Sequence, residues 1–303
     1  MGSVGLRPMT YRHVVFPDAS GSSSVLNFAP ARAGQSPHPP APDSPNLSVK
    51  EESVLRWLFE QAGLEFNAYR GETLKRRIPA CLRATRMESL WHLRLAVQRN
   101  PQLLQLVMST LLIGITSFFR DPQVYVALAE QVLPELYRRL SGVRIWSAGC
   151  SDGSELYSIA MLLAQKKVLH RCSLLGTDCR ADAICSAREG KFDPAAVKGV
   201  PAAFLARYFS YESCHWRVHG CLQTAMQWRT ADLLSVHEPG TWDLILCRNL
   251  AIYMHNAAAG KLWRHLQERL RPGGYLVLGK AERPLGAKRL MACGPCIYRR
   301  ESS

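Results

Sequence analysis

No apolar run in the 303-residue sequence approaches the ~18–20 residues needed to cross a bilayer, so a membrane-spanning protein is not expected. The first residues also lack the basic stretch, apolar core and cleavage site of a secretory signal. A soluble, cytoplasmic protein is expected. The nine histidines show no paired spacing suited to a metal, and no metal is expected. Acidic residues are scarce: 24 Asp and Glu against 38 Lys and Arg leave a formal charge of +14. That excess favours an anionic partner, whether nucleic acid, anionic lipid or a carboxylate-bearing substrate. With 47% hydrophobic and 20% charged residues, the balance is that of a packed protein rather than a disordered one.

The ten cysteines do not read as a disulfide framework, because they are scattered through apolar segments, as at Cys81, Cys150, Cys172, Cys185 and Cys247. Reduced cysteines acting as small hydrophobes are expected. Cys293-Gly-Pro-Cys296 has the spacing of a redox pair, but such a pair should open a helix after a strand. Here it precedes Ile297-Tyr-Arg-Arg and reads as a Gly-Pro turn between two strands.

Residues 1–48 are rich in Gly, Ser, Pro and Ala and read as a flexible arm, with Tyr11 to Phe16 as a short stretch that could dock. From residue 49 to 120 apolar residues recur at helical spacing: Val54, Leu55, Leu58 and Phe59, then Leu74, Ile78 and Leu82, then Leu90 to Val97 and Leu103 to Leu111. Between Arg70 and Arg99 this small all-α domain carries eight Lys and Arg against two Glu, either a solvated face or a docking surface. Pro79 predicts that any basic helix here is short or kinked. From residue 121 to 303 strands alternate with helices. Strands are expected at Val143–Ala148, Cys172–Asp178, Trp242–Cys247, Tyr275–Leu278 and Cys296–Arg300, the Arg271-Pro-Gly-Gly274 segment turning into the fourth. Fully apolar strand centres predict an α/β fold, Rossmann-like, with a mostly parallel sheet covered on both faces.

In such sheets the ligand lies at the carboxyl ends of the strands, near the switch point. Three features converge there. Gly149-Cys-Ser-Asp-Gly153 follows the first strand, Asp178 closes the second, 25 residues past Gly153, and Arg248-Asn249 closes the strand that begins at Trp242. The dinucleotide fingerprint Gly-x-Gly-x-x-Gly is absent, as is a phosphate loop ending in Gly-Lys-Ser/Thr. Asp152 and Glu155 would repel a pyrophosphate and suit a cofactor with a sulfonium and an ammonium. S-adenosyl-L-methionine is therefore favoured over NAD, and a methyltransferase is the expected class.

The sequence resembles the chemotaxis receptor methyltransferases (CheR type), which methylate glutamate side chains of receptors. The likeness runs from about Val54 to Arg300 and rests on Ile115-Thr-Ser-Phe-Phe-Arg-Asp121, Arg144-Ile-Trp-Ser-Ala-Gly-Cys-Ser-Asp-Gly153, Tyr157-Ser-Ile-Ala160, Cys247-Arg-Asn-Leu-Ala-Ile-Tyr253 and Leu270-Arg-Pro-Gly-Gly274. The resemblance implies that Thr116 and Arg120 contact the cofactor or line the active site, and that Glu155 and Asp178 bind its amino-acid and ribose ends. It sets Asp232-Leu233 beside the adenine, Arg248-Asn249 at a further cofactor-contacting strand end, and Arg120 with Tyr253 as the pair that orients the substrate. It also implies a small β-rich insertion, at about 197–228. Plainer readings stay open: Thr116 and Arg120 as linker caps, Asp178 as a turn residue, Glu155 as a helix N-terminal charge, Tyr253 as a packing aromatic.

The chain departs from the family at Gly114 (usually Asn), at Ser154 (usually Glu), at Arg180 (usually an acid) and in Gly279-Lys-Ala-Glu282 (usually Gly-His-Ser-Glu). The expected activity is a carboxyl O-methyltransferase acting on glutamates of receptor-type proteins. The alternatives are a small carboxylic acid as acceptor, or a cofactor-binding protein without catalysis. Nucleic acid is not expected, since no Asn-Pro-Pro-Tyr-like base-flipping motif is present. The oligomeric state is left open.

Overall fold

The computed structural model describes residues 15–17, 23–25, 46–112, 114, 116–139, 142–235 and 238–302. The proline-dense stretch at 36–45 lies outside them, as does most of the arm. Within the arm, β1 (Val15–Pro17) and β2 (Ser23–Val25) pair antiparallel.

Four helices follow: α1 (Val49–Gln61), α2 (Gly71–Thr85), α3 (Leu90–Arg99) and α4 (Leu103–Leu111). A capping box starts α1, the Glu51 backbone N–H donating to Ser48 Oγ at 3.3 Å and the Ser48 N–H to Glu51 Oε2 at 2.7 Å. The inward stripes, Leu55, Leu58 and Phe59 with Leu74, Leu93 and Val107, close into one core of their own. Pro79 does not cut the basic helix short: α2 runs its full 15 residues with Pro79 inside it. Pro79 forfeits only its own bond to the carbonyl four residues back, and its ring faces solvent. Leu74, Ile78 and Cys81 stay buried on the opposite side and hold the helix together.

The second unit begins with α5 (Pro122–Ala127), which continues through a π turn (Leu128–Val132) into α6 (Leu133–Arg139). Then come β3 (Val143–Ala148), α7 (Ser154–Gln165), β4 (Cys172–Asp178), α8 (Ala181–Glu189), β5 (Lys191–Phe192), α9 (Ala202–Tyr208), β6 (Phe209–Glu212), β7 (His215–Val218), α10 (Gly220–Gln223) and β8 (Met226–Thr230). The chain ends with β9 (Trp242–Cys247), α11 (Asn256–Arg269), β10 (Leu270–Leu278), β11 (Leu290–Gly294) and β12 (Ile297–Arg300). Seven strands form the main sheet in the order β11-β12-β10-β9-β3-β4-β8. From β10 to β8 every pairing is parallel, and β12 and β11 add an antiparallel edge. After β3 the chain builds outward through β4 and β8, then returns to the other side of β3 for β9. The β3/β9 boundary is thus the switch point, where the loops diverge and leave a crevice.

Three local differences from the sequence reading have physical reasons. Met226–Thr230 pairs with β4 in the main sheet, while the separate three-stranded sheet is β5-β7-β6, spanning Lys191 to Val218, so the β-rich piece starts and ends earlier than 197–228. Strand β10 already starts at Leu270, with its register to β9 broken between Leu270 and Tyr275 by the Pro-Gly-Gly segment. Cys185 is exposed, because α8 turns Ala183, Ile184 and Ala187 inward instead. All ten cysteines are free, and Cys293 and Cys296 flank the turn between β11 and β12. Burial pushes both thiols upward, away from the thiolate that redox exchange needs. Among the described residues no helix is long and apolar enough to cross a membrane.

Pro79→Ala should stabilise the protein by about 1–3 kcal/mol, since Ala regains a helix bond at an exposed position with far better propensity. A raised urea midpoint is the expected result; an unchanged one would mean α2 is not a regular helix at that turn.

Candidate active site

A cleft enclosing about 1080 Å3, its open mouth included, sits over the carboxyl ends of β3, β4 and β9. Thr116, Arg120, Gly149, Glu155, Asp178, Asp232, Leu233, Arg248, Asn249 and Tyr253 all line it. Gly153 alone of the expected residues does not. Its φ is +84°, and a Cβ there would lie 2.6 Å from the Trp228 ring, so this glycine lets α7 start close to β8. Asp152 also stays out of the lining. It accepts the Ser154 N–H at 2.9 Å and the Ser154 hydroxyl at 2.7 Å, fixing the turn that leads into α7.

Each lining side chain is set by packing behind it. In the Thr116–Asp121 segment, Phe118 rests edge-on against Phe192 and Phe209, and Phe119 against Tyr125, with Phe119 and Asp121 at positive φ. The two rings pin the turn into the core, and Thr116 and Arg120 on either side of them reach the cleft. Glu155, in the first turn of α7, is buried; its Oε1 accepts Ser147 Oγ at 2.8 Å and its Oε2 faces Arg248 Nη1 at 3.3 Å. Burial pushes its carboxyl upward, although Arg248 and Ser147 pull the other way. Arg248 Nη2 donates to the Arg120 carbonyl and to Asp121 Oδ2, both at 2.8 Å, and Lys280 reaches Asp121 from the solvent side at 2.8 Å. One buried cation therefore joins the end of β9, the start of α7 and the linker.

Asp178 accepts the Ser151 N–H at 2.9 Å and is clasped by Arg180. Asp232 turns its carboxylate to the Leu234 N–H and the Ser235 hydroxyl, fixing the loop after β8. Tyr253 is both a packing and a lining residue: its ring touches the helical core, its carbonyl accepts the Arg70 N–H at 2.9 Å, and Tyr69 bridges to Met254. The helical unit thus supplies one wall of the cleft, through Tyr69, Thr73, Leu74 and Arg77. The donor set suits a cationic nucleoside. Three acids, Glu155, Asp178 and Asp232, and a glycine at 149 line the cleft, and Arg248 and Arg180 are already committed to carboxylates.

The sequence model described as "CheR methyltransferase, SAM binding domain" matches residues 115–295, and "CheR methyltransferase, all-alpha domain" matches residues 52–112. The chain belongs to the CheR methyltransferase family. Chemotaxis protein methyltransferase 1 of Pseudomonas aeruginosa is 30% identical over 200 residues, covering 62% of this chain and 73% of that one. Chemotaxis protein methyltransferase Cher2 of Pseudomonas putida is 27% identical over 270 residues, covering 83% and 97%. A chemotaxis protein methyltransferase of Listeria monocytogenes is 28% identical over 242 residues, covering 80% and 92%. The fold, the CheR resemblance and the use of S-adenosyl-L-methionine expected from the sequence agree with these matches, and the protein is an S-adenosylmethionine-dependent methyltransferase.

Glu282 matters more than its place at the end of a Gly-Lys-Ala-Glu motif had signalled. Its buried carboxylate accepts the Asn249 and Gly279 N–H groups at 2.8 and 2.7 Å and the Ala251 N–H at 2.7 Å. It thereby holds Asn249 in a left-handed turn, with φ +59°, at the edge of the cleft. Glu282→Gln turns an amide against one of these three donors and should cost about 1–3 kcal/mol. Urea denaturation should show that loss, whereas Glu301→Gln at the exposed chain end should show none; equal effects would remove Glu282 from this role.

Proposed function

We propose that this CheR-family protein forms methyl esters on carboxylates, and that its acceptors are glutamate side chains of receptor-type proteins. Glu155 and Asp178 would hold the amino-acid and ribose ends of the cofactor, Asp232 and Leu233 would flank its adenine, and Thr116 and Asn249 would complete the walls. S-adenosylmethionine supplies an electrophilic methyl group when bound.

A glutamate carboxylate, with a pKa of about 4.3, is already ionised at neutral pH and needs no strong base. What the protein adds is placement and exclusion of water, worth several kcal/mol in general. Arg120 is the carboxylate guide and Tyr253 a hydrogen-bond donor beside it. Guidance must stay loose, because tight pairing in the ground state would blunt the nucleophile.

The observation that carries a protein acceptor is the wall built by α2. Arg77 lines the cleft, and Arg76 and Arg83 continue the basic helix away from it. An acceptor whose carboxylates repeat along an extended surface meets cations beyond the reacting position, whereas a small acid would use none of them. The names of the relatives point the same way. Ten free thiols fit a reducing compartment, and the cytoplasm is the proposed location.

Labelled S-adenosylmethionine should transfer its methyl group to receptor fragments, and mild alkali should release it. Label appearing only in small dicarboxylic acids, or cofactor binding with no transfer, would overturn the proposed acceptor. Arg120→Ala should lower turnover about a hundredfold or more while changing cofactor affinity little. Equal loss of both would make Arg120 a cofactor ligand instead.

A further inference from the structure

Gly114 and Arg180, far apart in the sequence, meet in space. A Cβ on residue 114 would lie 2.6 Å from Arg180 Nη2 and 2.8 Å from Ser151 Oγ. The glycine makes room for the guanidinium. Ser151 Oγ links them: it donates to the Gly114 carbonyl at 3.1 Å and receives Arg180 Nη2 at 3.0 Å.

The same guanidinium closes on Asp178. Arg180 Nε donates to Oδ1 at 3.0 Å and Nη2 to Oδ2 at 3.3 Å, while the backbone N–H groups of Arg180 and Ser151 take Oδ1 and Oδ2 at 3.0 and 2.9 Å. Four donors fill the roughly four acceptor sites of a carboxylate. Both side chains are nearly buried, at 10% and 8% exposure, so this is not a screened surface pair. A diol approaching Asp178 finds no lone pair open unless a donor leaves. The two backbone donors are fixed by the loop and by the start of α8, which leaves the side chain of Arg180 as the group that must move.

We infer that Arg180 is an affinity-setting latch, which occupies the ribose face of Asp178 and ties it through Ser151 to the Gly114 linker until the cofactor displaces it. The inference rests on the reading of Asp178 as the ribose acid. Two consequences follow. Cofactor affinity is lower than the same pocket would give without the guanidinium, by the fraction of time the latch is open. Opening the latch also takes Arg180 Nη2 off Ser151 Oγ, which keeps its own bond to the Gly114 carbonyl.

Calorimetric titration of the full chain with S-adenosylhomocysteine tests this without any acceptor. Arg180→Met should lower Kd about three- to tenfold. Gly114→Ala places a methyl group against the tip of the guanidinium and should tighten binding in the same direction, even if Arg180→Met folds poorly. The double variant should bind no more tightly than the better single one, because both open the same latch. Weaker or unchanged binding by Arg180→Met with weaker or unchanged binding by Gly114→Ala would overturn the latch. Asp178→Asn separates the two ideas. If it weakens binding tenfold or more while neither latch variant tightens it, only the latch fails; if it leaves Kd unchanged, the ribose reading fails too.

Discussion

The architecture of the cleft depends on one buried cation. Arg248 stands at the end of β9, where the sheet reverses its order, and holds Glu155 from α7 and Asp121 from the linker. Remove it and the buried Glu155 loses its ion-pair partner while Asp121 keeps only Lys280 on the solvent side, and breaking a buried pair typically costs about 3–5 kcal/mol. The ion network therefore fixes the distance between the strand ends and the Thr116–Arg120 turn. It also opposes the desolvation that pushes the Glu155 carboxyl upward. A cleft meant for a neutral ligand would have little reason to bury an acid there.

Around that cation the molecule uses rigid supports of different kinds. Aromatic packing of Phe118 and Phe119 seats the linker, the Glu282 carboxylate seats the Asn249 turn, and Asp152 holds the turn into α7. The helical unit closes the remaining side through backbone pairing between Tyr69 and Met254 and between Arg70 and Tyr253. Both family-model segments thus meet in one pocket, and α2 contributes Thr73, Leu74 and Arg77 to its wall.

Much of this was legible in the residues. Continuous apolar strands bounded by Gly, Asp or Asn fixed the positions of β3, β4 and β9, since burial on both faces leaves little other choice of residue. The strand-end acids could be found because a parallel sheet puts its ligand there whatever the chemistry. What could not be read were roles set by contacts distant in sequence. Gly153 and Asp152 sit in the expected loop, yet one accommodates Trp228 and the other holds the turn into α7. Pro79 looked like a break because local propensity says so, and tertiary burial of Leu74, Ile78 and Cys81 overrides it. Glu282, 33 residues from Asn249, carried no local sign of the turn it supports. The meeting of Gly114 with Arg180 was hidden for the same reason: each looked like an isolated departure until the fold brought them together.

The buried Glu155 is the residue proposed to receive the positive amino-acid end of the cofactor. The most direct measurement is the pH dependence of S-adenosylhomocysteine affinity for the wild-type protein and for Glu155→Gln. Because burial raises the free protein's Glu155 above the ordinary value of 4.5, acid should protonate it early and affinity should fall as the pH drops through that raised value. The Gln variant should bind more weakly at neutral pH and lack that acid limb. A Gln variant that binds like the wild type, with the same acid limb, would contradict the account.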